Sequence, residues 1–470
     1  MIRTLSRLAV SGVALVGLAA CHDNLLIPQY NAPTVSGVNA DPNGLQLYVS
    51  GILLALRGSN ERSIRDLGNL GRESYWYFPT DGRSVSGYLT GLTGPNNTRL
   101  LDPTGFASGN WFPHYTNMRN TVNTIGLASG SKTLSSQQKS AVYGFARTIH
   151  ALEQWYVAIS RDSLGAPIVI PADPSKPAPF VSRDAEFAYI SALLDSAQTD
   201  LQAAGTTAFP FVLTDGFAGF DSPATFLQFN RALAARVLVN RGSLGCSACY
   251  AQALTALGGS FIMTPTSISD LNIGVYSVYS TTAGDALNSL NINVDNNFFA
   301  HASALTDAQL KPDSTPDARA TRKVAPLAVP RPAPGGLKNG IPATAYFILY
   351  PTTTSPVGII RNEELVLLRA EAEIQTGNAA AGLADLNSVR TVSGGLAPLT
   401  SLGADPITTL LYERRYSLLD EGHRWNDVRR FGRLSTLPLD LPFQFVARVQ
   451  PIPTQECNAR TGALLPPTGC

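Results

Sequence analysis

The sequence predicts a mainly α fold, with helical hairpins stacked into a solenoid and interrupted by long loop-rich insertions. Three observations carry that prediction. Apolar residues recur at helical spacing in separated blocks. Several blocks pair across short turns containing glycine. The stretches between pairs are rich in Gly, Pro, Asn and aromatic residues and show no repeat. With 470 residues the chain can bury a large core. Its 35 basic and 34 acidic side chains nearly cancel, leaving +1, and this balance gives no sign of a polyanionic partner such as nucleic acid. Charged residues are only 15%, with Gly 40 and Pro 32, a composition of polar loops that suits an exported protein.

Taken in order, the chain opens with MIRTLSRLAVSGVALVGLAAC, in which Arg3 and Arg7 precede an apolar run from Leu8 to Leu18. This is the length of a secretory h-region and too short to span a bilayer. Leu18-Ala19-Ala20-Cys21 resembles the lipobox of bacterial lipoproteins, which implies a signal peptide over 1–20, acylation of Cys21 and a tether over 21–40; an ordinary signal peptide cut nearby is the alternative. Residues 41–470 then read as a single domain. Its helical blocks are Ser135 to Ile159, Asp184 to Ala203, Pro223 to Arg241, Tyr250 to Leu257, Asn362 to Gln375, Ala379 to Val389 and Ile407 to Asp420. In the pair over 362–390, Leu365, Leu368 and Ala372 face Leu383, Leu386 and Val389 across a Thr376-Gly377-Asn378 turn, as in a tetratricopeptide unit. Gly242 and Gly245 separate the helices of a second pair, and the helix at 141–159 pairs with 183–204. The scaffold therefore covers about 115–258 and 361–434, with irregular insertions at about 60–113 and 259–360. Insertions in a repeat scaffold tend to gather on one face, often the binding face.

Besides Cys21, the cysteines are Cys246, Cys249, Cys457 and Cys470. Two local bridges, 246–249 and 457–470, are the simplest pairing in an oxidising compartment. A redox pair or half of a zinc site remains open for Cys-Ser-Ala-Cys.

Charge concentrates near the C-terminus in YERRYSLLDEGHRWNDVRRFGRL. Its spacing, Glu413-Arg414-Arg415, then Glu421-Gly422-His423-Arg424-Trp425, Asp427 and Arg429-Arg430, resembles the C-terminal signature of the SusD/RagB family of outer-membrane nutrient-binding lipoproteins. GRESYWYFPTDGR at 71–83, NWFPHYTNMRN at 110–120, WYVAISRDSLGAPIVI at 155–170 and VQPIPTQECNA at 449–459 follow the same resemblance, which covers nearly the whole chain. It implies a tetratricopeptide-like scaffold with an irregular ligand-binding half, anchored by lipid at the cell surface and capping a SusC-like TonB-dependent transporter. The charged stretch itself reads as structural. Arg424, Asp427 and Arg430 share a helical face that Glu421 leads into, with Trp425 packed beneath.

No H-E-x-x-H pair, G-x-S-x-G elbow, phosphate loop, G-x-G-x-x-G turn or EF-hand is present, so no metal, cofactor or catalytic residue is assigned and an enzyme is not expected. A surface hydrolase and a scaffold that binds no ligand are the alternatives. For binding, a glycan presents C–H faces to aromatic rings and hydroxyls to planar polar groups. Residues 71–120 supply both kinds of partner. The candidates are Trp76, Arg83, Tyr75, Tyr77, Trp111 and Tyr115, among which Trp76 and Arg83 are expected to be exposed. Trp111 and Tyr115, one turn apart, also fit a core role, and Tyr75 and Tyr77 alternate with Trp76. Arg83 or Arg72 would instead take the carboxylate of a peptide. Tyr276 and Tyr279, with NINVDNNFF at 291–299, form a second cluster.

Overall fold

The computed structural model describes residues 34–77, 81–83, 86–93, 99–173, 175–332, 341–464, 466 and 470. The signal segment, Cys21 and most of the tether lie outside them. Two units are distinguished, Met1–Gly44 and Leu45–Cys470. In the first, helix α1 (Val35–Ala40) begins at Thr34, whose hydroxyl accepts from the Gly37 amide at 3.0 Å.

The second unit carries the hairpins. Long helices α2 (Gly44–Leu70), α3 (Phe112–Gly130), α4 (Ser136–Arg161), α5 (Arg183–Ala204), α6 (Pro223–Ser243) and α7 (Ala248–Gly258) are followed by a second helical block. There α11 (Asn362–Gln375), α12 (Ala379–Val392), α13 (Pro406–Ser417) and α14 (Arg424–Arg430) complete the stack. From α3 to α7 each helix packs on the next, α7 packs on α11, and α11 packs on both α12 and α13. The starts are written in sequence: Ser135 with Gln138, and Ser222 with Thr225, form reciprocal caps at α4 and α6, and Pro223 occupies the first turn of α6.

Three crossings depend on glycine. A Cβ at Gly144 would lie 2.5 Å from Leu201, one at Gly242 would lie 2.6 Å from the Tyr250 ring, and one at Gly382 would lie 2.6 Å from Ile374 and 2.9 Å from the Ala370 carbonyl. A larger residue at these positions would force the facing side chains, and at Gly382 the Ala370 main chain, to shift. The expected Thr376–Asn378 turn is present, with Gly377 at φ 89°.

The start of the first insertion is corrected. Residues 60–70, expected to be irregular, are the second half of α2, because Ile64, Leu67 and Leu70 continue the buried face of Val49, Ile52, Leu53 and Leu56. The remainder of the insertions is not only loop. β1 (Ser74–Trp76), β5 (Phe298–Ala300), β7 (Ala343–Phe347) and β6 (Val324–Arg331) form a four-stranded antiparallel sheet in that spatial order. β4 (Gly274–Ser277) pairs with β8 (Val357–Arg361), which runs directly into α11 and ties the insertion to the hairpins. Short pairs and turns complete this half: β2 (Leu92–Thr93) with β3 (Arg99–Leu100), and helices α8 (Ile268–Leu271), α9 (Ser303–Thr306) and α10 (Ala318–Lys323). Cys246 is bridged to Cys249 at the α6–α7 turn, and Cys457, in the helix Thr454–Asn458, to Cys470.

Candidate functional site

Helix α2 organises the site. Gln46, Ser50, Arg57, Glu61 and Arg65 recur at spacings that place them on one face, and the 278–295 segment lies along that face through successive contacts. Arg57 pairs with Asp285 at 2.5 Å and donates to the Val278 carbonyl at 2.7 Å. Ser289 donates to Glu61, and Arg65 donates to the Ser289 carbonyl at 3.1 Å. Arg65 also pairs with Asp295 at 3.3 Å, and the same carboxylate accepts from Trp76 Nε1 at 3.1 Å.

At the N-terminal end of this face lies a cavity of about 860 Å³, lined by α2, residues 212–217, residues 276–285 and residues 354–359, and within the size range of small-molecule sites. Gln46 clamps the Val212 main chain, donating to its carbonyl at 3.1 Å and accepting from its amide at 2.8 Å. Gly216 sits against the Tyr276 carbonyl, where a Cβ would lie 1.9 Å from the oxygen. The lining mixes hydroxyl, amide and carboxylate groups from Ser50, Gln46, Asp215 and Asp285 with the exposed apolar Leu54 and Val212. Burial opposes ionisation of Asp285, but hydrogen bonds from Ser280 and Arg57 outweigh it and hold the carboxyl below its usual range. Burial raises Tyr276 to about 12, so its hydroxyl keeps its proton. Such a surface offers donors and acceptors beside apolar faces, which is what a polyol requires. Among the described residues, no group of three or more His, Cys, Asp or Glu is arranged to hold a metal ion.

The aromatic candidates divide. Trp76 is half-buried, with the Arg65 guanidinium 5.0 Å over its ring and Phe106 tilted against it at 5.2 Å. Arg83 is exposed, holds Asp81 at 2.6 Å and lies 5.1 Å over Phe106. These residues form one continuous stack, in which Phe106 was not anticipated from the sequence. Tyr75 and Tyr77 are both buried, stacked on each other at 5.1 Å, and present no ring to a ligand in this conformation. Trp111 is 1% exposed, packed between Tyr115 and Phe180 with Arg161 over its ring, and Tyr115 donates to the Pro167 carbonyl at 2.7 Å. Tyr75, Tyr77 and Trp111 are thus buried and Tyr115 is half-buried, so none of the four stands out as an exposed aromatic platform. In the 110–117 segment a buried acid draws polar groups inward: Glu153 on α4 accepts from Asn117 at 2.6 Å and Ser59 at 3.1 Å and contacts His114 Nδ1 at 2.5 Å. Arg72 is fully buried and donates to the Asn69 and Phe445 carbonyls at 2.9 and 2.7 Å, so it takes no peptide carboxylate.

The C-terminal charges are buried and mostly paired. Glu413 lies between Arg319 and Arg390, each at 2.7 Å. Asp427 binds Arg414 at 2.8 Å and Arg430 at 3.0 Å, and Arg430 also grips Glu371 on α11. Trp425 is fully buried, donating to the Ala447 carbonyl at 2.9 Å. The expected ladder holds at Asp427–Arg430 and fails at its Glu421–Arg424 end. Glu421 turns to Arg361 at 2.5 Å and Lys323 at 3.2 Å, because Gly422 at φ 78° breaks the helix. Arg424 makes no ion pair or hydrogen bond among the described residues.

Residues 343–462 match the family model described as SusD family. Solved structures share the fold at low identity. A SusD superfamily protein from Bacteroides vulgatus superposes with TM-score 0.62 at 15% identity, over 90% of this chain and 97% of its own. Surface glycan-binding protein A from Bacteroides uniformis gives 0.65 at 14%, over 89% and 98%. A laminarin binding SusD-like protein gives 0.58 at 16%, over 87% and 97%. No curated protein matches the chain in sequence.

Proposed function

We propose, on the premise that the chain is a SusD/RagB-family protein by sequence over residues 343–462 and by fold over most of its length, that it is a surface glycan-binding protein. It captures an oligosaccharide and passes it to a SusC-like TonB-dependent transporter of the outer membrane, performing no covalent chemistry itself. Two structural neighbours named for glycan or laminarin binding support the ligand class. The observation that carries the reading is the cavity beside Asp215, Tyr276 and Asp285, joined along α2 to the Trp76–Phe106–Arg83 stack. Arg57 and Arg65, which mark the two ends of that link, are about 12 Å apart at the helical rise. A ligand touching both ends is an oligomer rather than one sugar. Attachment follows from acylation of Cys21, each buried methylene contributing about 0.8 kcal/mol.

Calorimetry of protein lacking residues 1–21 against neutral oligosaccharides and peptides tests the reading. Asp215→Ala and Tyr276→Ala are expected to weaken oligosaccharide binding by about tenfold each, about 1.4 kcal/mol. Peptide binding without oligosaccharide binding overturns the ligand class, and release of shorter products during the titration favours the hydrolase.

A further inference from the structure

A second cavity, sharing no lining residue with the first, lies between α9, α13, α14 and the chain that follows α14, with a volume of about 540 Å³. Arg424, at its wall, is only 9% exposed. Guanidinium groups this deep are normally paired, because burying an unmatched charge is costly. The carboxylates that line the cavity, Asp307, Asp427 and Asp440, are already engaged. Both oxygens of Asp427 are held by Arg414 and Arg430. Asp307 is held by Arg415 at 2.9 Å, and Arg433 pairs with Asp405 at 2.7 Å. Asp440 accepts from His301 at 3.1 Å, and that ring is neutral, pushed down to about 3 first by burial and then by Arg424, Arg72 and Arg415. Glu73 feels the Arg424 charge but forms no ion pair with it. Its two oxygens have no partner, and burial raises it to about 8, so it supplies little countercharge at neutral pH. None of the Arg424 nitrogens is among the sealed, unpartnered atoms, so they open onto the cavity. Burial, then Arg415, lowers Arg424 itself to about 9.

We infer that this cavity is a second binding site, for a small molecule bearing a carboxylate, with Arg424 receiving the carboxylate through its planar fork and Arg433 at the rim. The inference goes beyond the neutral-glycan reading of the first cavity and stands whether or not that reading holds. Its volume exceeds what a bare ion fills and lies within the range of small-molecule pockets. An acidic sugar and a peptide C-terminus present the same group.

The test is titration of protein lacking residues 1–21 with glucuronate, an N-acetyl dipeptide with free carboxyl, and glucose as the neutral match. Glucuronate or the dipeptide is expected to bind saturably, glucose not, and Arg424→Gln to weaken binding at least tenfold; whichever acid binds identifies the source. Binding of neither acid, glucose binding as well as glucuronate, or an unchanged affinity in Arg424→Gln overturns the proposal. Should Arg424→Gln fail to fold, Arg433→Gln decides: a severalfold loss supports the site, and unchanged affinity overturns it.

Discussion

Glu73 is 1% exposed at the end of α2, with its main-chain carbonyl used by the His301 amide at 2.8 Å and its carboxyl oxygens without partners. Burial raises it from 4.5 to about 8, against the pull of Arg424. The sign follows from proton counting. Between pH 4.5 and 8 the unfolded chain has released a proton that the folded chain retains, so stability falls as pH rises through that window. Glu73→Gln keeps the shape and removes the titration. Thermal melts should give equal stability for the two proteins near pH 4 and an advantage to Glu73→Gln that grows to the order of 2–4 kcal/mol by pH 8. A loss of stability at pH 8 would mean that Glu73 is ionised and paired with Arg424, and would remove the reason for the second cavity to need an anion.

Helix α14 has seven residues, too few to be stable alone, and is held by Asp427 on Arg414 and by Arg430 on Glu371. Removing one partner of a buried pair leaves the other charge without solvent, so Arg430→Met should cost about 3–5 kcal/mol in denaturant unfolding. Adding Glu371→Leu should recover most of that loss. A double variant no better than the single would assign the cost to lost packing instead. The elements differ in how much of this was legible in the sequence. The α11–α12 hairpin was legible because both faces and the turn at Gly377 lie within one stretch of chain. None of α2 was among the expected helices, because its apolar face of Val49, Ile52, Leu56, Ile64, Leu67 and Leu70 is interrupted by polar and glycine residues and is buried only against segments distant in sequence. Trp111 and Tyr115 resembled a ligand platform because Glu153, which draws polar groups of their segment inward, is remote in sequence. Phe106 escaped notice for the same reason: its role in the stack depends on Trp76 and Arg83 meeting it from other segments.

Across the Leu45–Cys470 unit, the hairpins fix a rigid frame through close glycine crossings, and α2 carries a row of polar side chains onto which the irregular half is fastened. Four distant stretches, at Gln46–Arg57, 212–217, 276–285 and 354–359, meet to form the first cavity, so its walls could not be assembled from any local motif. The division of labour is a helical mount beneath irregular loops, and the central claim is that sugar binds in those loops beside α2. A crystal structure of the protein with a bound neutral oligosaccharide tests it most directly. The account predicts sugar density against Asp215, Tyr276 and Asp285 extending toward Trp76; density seated on the helical hairpins α4 to α7, with that cavity vacant, would contradict it.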